Sequence, residues 1–378
     1  MEIVADDLAK SLAEKGIKVT IITTSLQKKQ ETDVVLQFKN ITLYSLKNTE
    51  PMKYTRSWWL KSQEFYNELE KSLPVDVIFS VSAAGYSISK LKNIPSIVFQ
   101  AHGTALGEIK TKVRLNWKTK IKALKNVYGL LQDIHFLKNF DMIITIGNKV
   151  YNDIKSQKVF SNIRTINIDN AVDTELFKFD SNDRVQIRKK LKISDDSTVF
   201  ISSSRLHPEK GILEAILIFE AISVRDDNVK FLILGDGPQK ENLINFVKNK
   251  KLDNKVLFIG KVERDQLAQY YSASDCLLFT TLREEGLPLS LLEALSSSLV
   301  CFVSNKLQLS LNAPIFPISP KEPQVSAELI VSVIKEPTFD ELKKQSSKVI
   351  IENYSKEAWV KKYIDTFTIL NKEKVHAK

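Results

Sequence analysis

Short apolar runs recur along the chain at 19–23, 77–82, 96–100, 142–146, 198–202, 231–234, 256–259, 277–280 and 299–303, and longer amphipathic stretches separate them. Strands alternating with helices imply parallel sheets covered on both faces. The nine runs divide around residue 170. Residues 180–196 read as a charged helix bounded by Asp-rich turns, so one sheet ends near Asp173 and a second begins near Thr198. A barrel of eight strand-helix units around one core would lack that break. The expectation is therefore α/β, with two open Rossmann-like domains. Length agrees, since 378 residues exceed the roughly 250 to 300 at which single cores stop growing. The expected boundaries are 1–172 for the first domain, 173–352 for the second, and 353–378 for a C-terminal helix returning to the first.

The N-terminus begins on a helix, with apolar positions Ile3, Leu8 and Leu12 around a charged face, Gly16 as its stop and a strand from Ile17. An open parallel sheet normally starts with a strand whose loop feeds the first helix. The first domain is thus expected to lack its first strand and glycine-rich loop, the alternative being a helix-first domain. No run approaches the ~18 apolar residues that span a bilayer, and the first residues lack a signal peptide's apolar centre, so a cytoplasmic protein is expected. Cys276 and Cys301 each sit in an apolar run, where cysteine is usually a small buried hydrophobe, so no disulfide or metal site is expected.

The net charge of +10 is uneven, with 25 basic against 16 acidic residues up to position 170 and 30 against 29 beyond it. The basic half suggests an anionic partner, unless the lysines reflect composition alone. From 110 to 131, seven basic residues (Lys110, Lys112, Arg114, Lys118, Lys120, Lys122 and Lys125) accompany Val113, Trp117, Ile121, Leu124, Tyr128 and Leu131 at helical spacing. Such a helix could lie on an anionic membrane leaflet, or its apolar stripe could pack on the first domain's sheet. Nucleic acid is not expected as a partner, because the basic residues are not interleaved with a stacking motif.

Chemistry concentrates at strand ends. His102 follows the run 96–100, at the edge where such sheets bind ligands, though a lone histidine there also serves as a cap or faces solvent. The segment SSRLHPEKG, from Ser203 to Gly211, follows a strand and opens a helix, where free amides and the cations Arg205 and Lys210 can receive phosphate. Gly235 in LGDGP offers either close backbone approach or only a tight turn. In EEGLPLSLLEA, Leu287 and Pro288 suit a first helical turn. Glu285 would then sit in the loop at the helix mouth, with Glu293 about two turns along. Carboxylates there can accept sugar hydroxyls, a polar helix face being the plainer alternative for either one alone.

Taken in order, VADDLAKSLAEKGIKVTIITT, VFQAHGT, DMIITIG, NAVDTELF, SRLHPEKG, LILGDGP, VLFIGKVERDQLAQYYSASDCLLFTT and EEGLPLSLLEAL resemble a retaining glycosyltransferase of family 4 (glycosyl transferases group 1), with the GT-B fold. The resemblance covers nearly the whole chain. It implies that the second domain binds a nucleotide-sugar donor and the first receives a glycan or lipid-linked acceptor, moving a hexose-type sugar in cell-surface polysaccharide synthesis, in the cytoplasm or peripherally at the inner membrane face. Arg205 and Lys210 would hold the diphosphate and Glu293 the ribose. Glu285 would face the transferred sugar beside the amides of Gly286 and Leu287, Lys261 and Val262 would lie along the base, and His102 would approach the reacting carbon. No cofactor or metal is implied, since the two cations neutralise the leaving group. The sequence departs from the family at the first strand and loop, at Ala171 in place of glycine, at Ser297 and Ser298 in place of a small-glycine turn, and through 304–320, which lacks a Gly-Gly and acidic pattern. These departures leave open a non-catalytic sugar-nucleotide binder, with a sugar-nucleotide epimerase as a further alternative.

Overall fold

The computed structural model describes residues 2–27, 30–101, 129, 131–283, 285–307, 309 and 311–376. The chain forms two compact units, Met1–Asp169 with Glu357–Lys378, and Asn170–Lys356.

In the first unit, helix α1 (Glu2–Glu14) precedes strand β1 (Val19–Thr23). Gly16, at φ +84°, makes the left-handed turn between them. Strands β2 (Val34–Phe38) and β3 (Ile41–Ser45) form a hairpin through Asn40, and β3 pairs in parallel with β1. The antiparallel β2 corrects the expectation of purely parallel sheets. Helix α2 (Arg56–Ser72) leads to a parallel sheet β4-β5-β6-β7, formed by Val77–Val81, Ser96–Ala101, Met142–Thr145 and Arg164–Asn167. Helix α3 (Asn148–Lys155) connects its last two strands.

The strands of this unit thus make two sheets, and among the described residues β1 and β4 each pair on one side only. Helix α2 serves both sheets. Its Phe65 packs 5.0 Å from Tyr44 of β3, while the Trp58 and Trp59 indoles donate to the Ala84 and Ala83 carbonyls just after β4, each at 2.9 Å.

The second unit is a doubly wound sheet. Helix α4 (Ser181–Leu191) is capped by Asp180, whose carboxylate accepts from the amides of Asn182 and Asp183. There follow β8 (Thr198–Ser203), α5 (Ile212–Arg225), β9 (Val229–Leu234), α6 (Lys240–Asn249), β10 (Val256–Gly260), α7 (Arg264–Ala273), β11 (Cys276–Phe279), α8 (Leu289–Ser296), β12 (Val300–Ser304), β13 (Ile315–Ile318), α9 (Pro323–Ile334) and α10 (Phe339–Tyr354). All six strands are parallel, in the order β10-β9-β8-β11-β12-β13. Side chains alternate between two apolar clusters. Val199, Ile201 and Leu277 face one, and Phe200, Cys276 and Leu278 the other. Both faces are therefore covered, which is why these strands read as nearly continuous apolar runs. Cys276 and Cys301 are fully buried free thiols, and burial pushes both up, leaving them protonated.

The chain ends on α11 (Lys356–His376), which lies against the β4–β7 sheet of the first unit. Tyr363 and Phe367 meet Phe79 edge-on, the Gln100 amide donates to the Tyr363 hydroxyl at 2.9 Å, and Arg164 and Lys374 pair with Glu373 and Asp141. No helix of the described residues is long and apolar enough to cross a membrane.

Candidate active site

Counted within the second unit, the strand order is 3-2-1-4-5-6, and the direction of winding reverses between the neighbours β8 and β11. Connections leave that point in opposite directions, opening a crevice at the strands' C-terminal ends. The loops that follow these two strands carry the charged motifs.

After β8 the chain makes a short turn, Pro208–Lys210, and enters α5 at Gly211, whose φ is +69°. A Cβ there would lie 2.0 Å from the Thr280 carbonyl oxygen, so only glycine fits. The loop after β11 is fastened to this turn. The Thr280 hydroxyl donates to the Gly211 carbonyl at 2.7 Å, and the Leu282 amide donates to the Glu209 carbonyl at 2.9 Å. Gly235, after β9, packs as closely. A Cβ on it would approach the Ser204 carbonyl to 1.9 Å, while its amide donates to the Gly260 carbonyl at 2.7 Å. Gly235 therefore shapes the loop that bears Arg205.

The fastened loops bring Lys210 onto Glu285. Its ammonium donates to both carboxylate oxygens, at 2.8 and 3.0 Å, and each side chain is only 16% exposed. The buried Thr281 hydroxyl also donates to Glu285 Oε1 at 2.8 Å. Arg283 lies between two carboxylates, with Nη1 3.3 Å from Glu209 Oε1 and Nε 4.0 Å from Glu285 Oε1. Arg205, 76% exposed, reaches the same Glu209 oxygen at 3.9 Å, and His207 Nδ1 is 3.8 Å from it.

Helix α8 begins at Leu289 with Pro288 as its cap, two residues later than the sequence suggests, so Leu287 lies in the loop. The loop is held there by Asn170, whose amide donates to the Leu287 carbonyl at 2.9 Å. Glu293 follows in the helix and is 6% exposed. The Tyr271 hydroxyl stands 3.5 Å from its Oε2, and Arg264 Nε, whose guanidinium lies over the Phe177 ring, is 3.9 Å from its Oε1. Burial, reinforced by the Glu293 carboxylate, raises the Tyr271 phenol well above its ordinary value. Lys261 is exposed beside Glu263 at 3.5 Å, while Val262 is half-buried against the core.

Of the residues singled out in the sequence, Arg205, Lys210, Gly235 and Glu285 meet directly or through the fastened loops, and Glu293 lies on the helix that Glu285's loop enters. His102 lies outside the described residues, as does the basic segment 110–131 apart from Gly129 and the exposed Leu131. The sequence reading missed Glu209, Thr281 and Arg283. The signal available for the last two was their place four and two residues before Glu285 in one strand-to-helix loop. Among the described residues, no group of three His, Cys, Asp or Glu side chains is placed to hold a metal ion.

A doubly wound sheet with cations and carboxylates at its switch point, in a chain that also carries another α/β unit, is the architecture of the GT-B glycosyltransferases. Sucrose-phosphate synthase from Thermosynechococcus elongatus has this fold, superposing with a TM-score of 0.77 at 18% identity over 97% of this chain and 92% of that one. Residues 1–176 match the model of Glycosyltransferase Family 4, and residues 183–345 that of Glycosyl transferases group 1. The chain belongs to this family of glycosyltransferases. Among curated relatives, it is 23% identical to N-acetyl-alpha-D-glucosaminyl L-malate synthase of Bacillus anthracis, over 79% of this chain and 74% of the relative. It is 29% identical to the UDP-Gal:alpha-D-GlcNAc-diphosphoundecaprenol alpha-1,3-galactosyltransferase of Escherichia coli, over 65% of this chain and 62% of the relative.

Proposed function

We propose that the protein transfers a hexose-type sugar, with retention at the anomeric carbon, from a nucleoside-diphosphate sugar to a glycan or lipid-linked acceptor. The observation that carries this reading is the meeting of Lys210 and Glu285 at the β8/β11 switch point, with Arg205 on the same loop and Glu293 on the following helix. Breaking the bond between the sugar and the diphosphate leaves negative charge on the leaving group and positive character on the sugar. Arg205 and Lys210 would stabilise the first, and Glu285 the second. Removing one such fixed charge from an enclosed site typically costs about 10² to 10³ in rate. Glu293, buried and braced by Tyr271 and Arg264, suits a hydroxyl pair that does not change during the reaction, and is assigned to the ribose. Gly286, Leu287, Lys261 and Val262 would line the donor through their backbone. In this proposal Arg205 and Lys210 neutralise the diphosphate, and no metal or cofactor is invoked.

The Escherichia coli relative is named for a UDP-sugar donor and a lipid-diphosphate acceptor. That supports this donor and acceptor class here, and with it a place at the cytoplasmic membrane face. Calorimetry with UDP, GDP and ADP tests the donor assignment, and transfer of radiolabelled sugar from the matching donor to lipid-linked or glycan acceptors tests the reaction. Arg205→Ala and Lys210→Ala are expected to weaken the best-binding nucleotide much more than they change folding. Unaltered affinity in both would overturn the assignment, while tight binding without transfer to any acceptor would favour a non-catalytic sugar-nucleotide protein.

A further inference from the structure

Glu209 and Arg283 have no part in the assignment above, yet they join its cations into one ladder of alternating charge. Arg205, Glu209, Arg283, Glu285 and Lys210 follow one another through contacts of 3.9, 3.3, 4.0 and 2.8 Å. The ladder carries three positive and two negative charges, so its cations are largely spent on its own carboxylates. An incoming diphosphate must take cations from those carboxylates. The rungs are unequal. Lys210 and Glu285 bond at the short distances of a tight charged pair, and Thr281 holds the carboxylate as well. Glu209 instead shares one oxygen between Arg205 and Arg283 at 3.9 and 3.3 Å, contacts too long for strong charged hydrogen bonds. The ladder opens most readily at Glu209.

Opening there frees two guanidinium groups together. Both reach the same Glu209 oxygen, so they lie no further apart than those two contacts end to end. Arg283 is held near by its backbone, because the Leu282 amide donates to the Glu209 carbonyl at 2.9 Å. Its side chain remains accessible, at 37% exposed. We propose that Arg283 is a third cation for the donor diphosphate, and that Glu209 is the counter-ion the donor displaces to reach it. The inference rests on the donor assignment above and adds to it a residue that binds and a residue that opposes binding.

Calorimetry with UDP and with inorganic pyrophosphate tests it, the second probe being independent of base and sugar. Arg283→Gln is expected to weaken both probes about tenfold, as expected for loss of a hydrogen bond to a charged group, with partial recovery in Arg283→Lys. Glu209→Gln is expected to tighten both a few-fold, and in that background loss of Arg283 should cost at least as much as before. Unchanged pyrophosphate affinity in folded Arg283→Gln, or equal or weaker affinity in Glu209→Gln, overturns the proposal. If Arg283→Gln does not fold, the Glu209→Gln affinities decide alone. Arg205→Ala and Lys210→Ala separate the two conclusions. If neither changes binding of either probe, the donor assignment itself fails; if both do while Arg283→Gln and Glu209→Gln do not, only this inference fails.

Discussion

Replacing Asp275 with Asn should destabilise the second unit severely without touching its ligand chemistry. Asp275 immediately precedes β11 and is buried among three cations. Arg188 Nη2, Arg184 Nη2 and Lys343 Nζ donate to its carboxylate at 2.8, 2.9 and 3.0 Å, and the Val199 amide of β8 donates at 2.9 Å. Arg188 is itself only 1% exposed and spends its other donors on the carbonyls of Ala273, Ser194, Asp195 and Ser197. It cannot turn to water when its counter-charge goes. Removing one partner of such a buried pair costs about 3 to 5 kcal/mol, against a total stability of about 5 to 15 kcal/mol for a typical domain. Burial alone would raise the Asp275 pKa. Lys343, Arg184, the Val199 amide and Arg188 outweigh it and hold the carboxyl below its ordinary value. The contribution is therefore present above the unfolded pKa of about 3.9 and is lost as pH falls through the lower folded value. The gap between wild type and variant should be widest near neutral pH and close in acid.

The assay can separate the units. All four tryptophans, Trp58, Trp59, Trp117 and Trp359, fall in the first, so indole fluorescence follows that unit during urea unfolding, while hydrogen exchange of the β8 and β11 amides follows the second. The expected result is a large loss of protection in β8 and β11 at pH 7, a smaller one only once pH is taken well below the unfolded carboxylate pKa of about 3.9, and unchanged nucleotide affinity in the folded fraction. A variant with wild-type protection at pH 7, or with a deficit independent of pH, would refute the reasoning.

Glu285→Gln should lower kcat about 10² to 10³-fold with little change in donor affinity, whereas Glu293→Gln should chiefly weaken the nucleotide; steady-state kinetics and calorimetry distinguish them, and the reverse pattern would exchange their roles. Ser298 adopts φ +65°, so Ser298→Gly should stabilise the second unit by about 1 kcal/mol at most, and a loss of stability in thermal melts would show that the left-handed turn carries no strain. Binding to anionic but not neutral vesicles, weakened by salt and by replacing Lys118, Lys120 and Lys122 with Gln, is expected if residues 110–131 meet a membrane; equal sedimentation with both lipids, or none at low salt, would leave that reading without support.

Three of the four strands that escaped the sequence show why the others did not. Those of the second sheet's interior are buried on both faces and read as plain apolar runs. Strand β2 is largely exposed, β7 carries Arg164 and Asn167 in four residues, and β13 holds Pro317 at a sheet edge, so each lacks the pattern that marks a buried strand. The site was legible to the same extent. Arg205 and Lys210, like Glu285 and Glu293, lie close together in single strand-to-helix passages, and local order alone marks them. The ladder through Glu209 and Arg283 joins residues 74 positions apart. It exists because β8 and β11 are neighbours, a fact of strand order that no local spacing contains. Ser298 marks the opposite case, where a serine stands in a left-handed conformation that favours glycine.

Strands β8 and β11 also divide stability from chemistry along their length. At their N-terminal ends, the one carboxylate of Asp275 is matched by three cations and an amide at hydrogen-bonding distance. Such a network gains nothing by opening and holds the two strands together where no ligand comes. At their C-terminal ends, Glu209 faces Arg205 and Arg283 across longer gaps near solvent. An anion can replace such a carboxylate at little cost, because the contacts it displaces are weak and both partners are already in place. Exchangeable pairing at Glu209, beside the tight Lys210–Glu285 pair, lets the sheet hold the strands' register while part of the loop above them changes partners. A binding site made of equally tight pairs would have to break about as much as it formed.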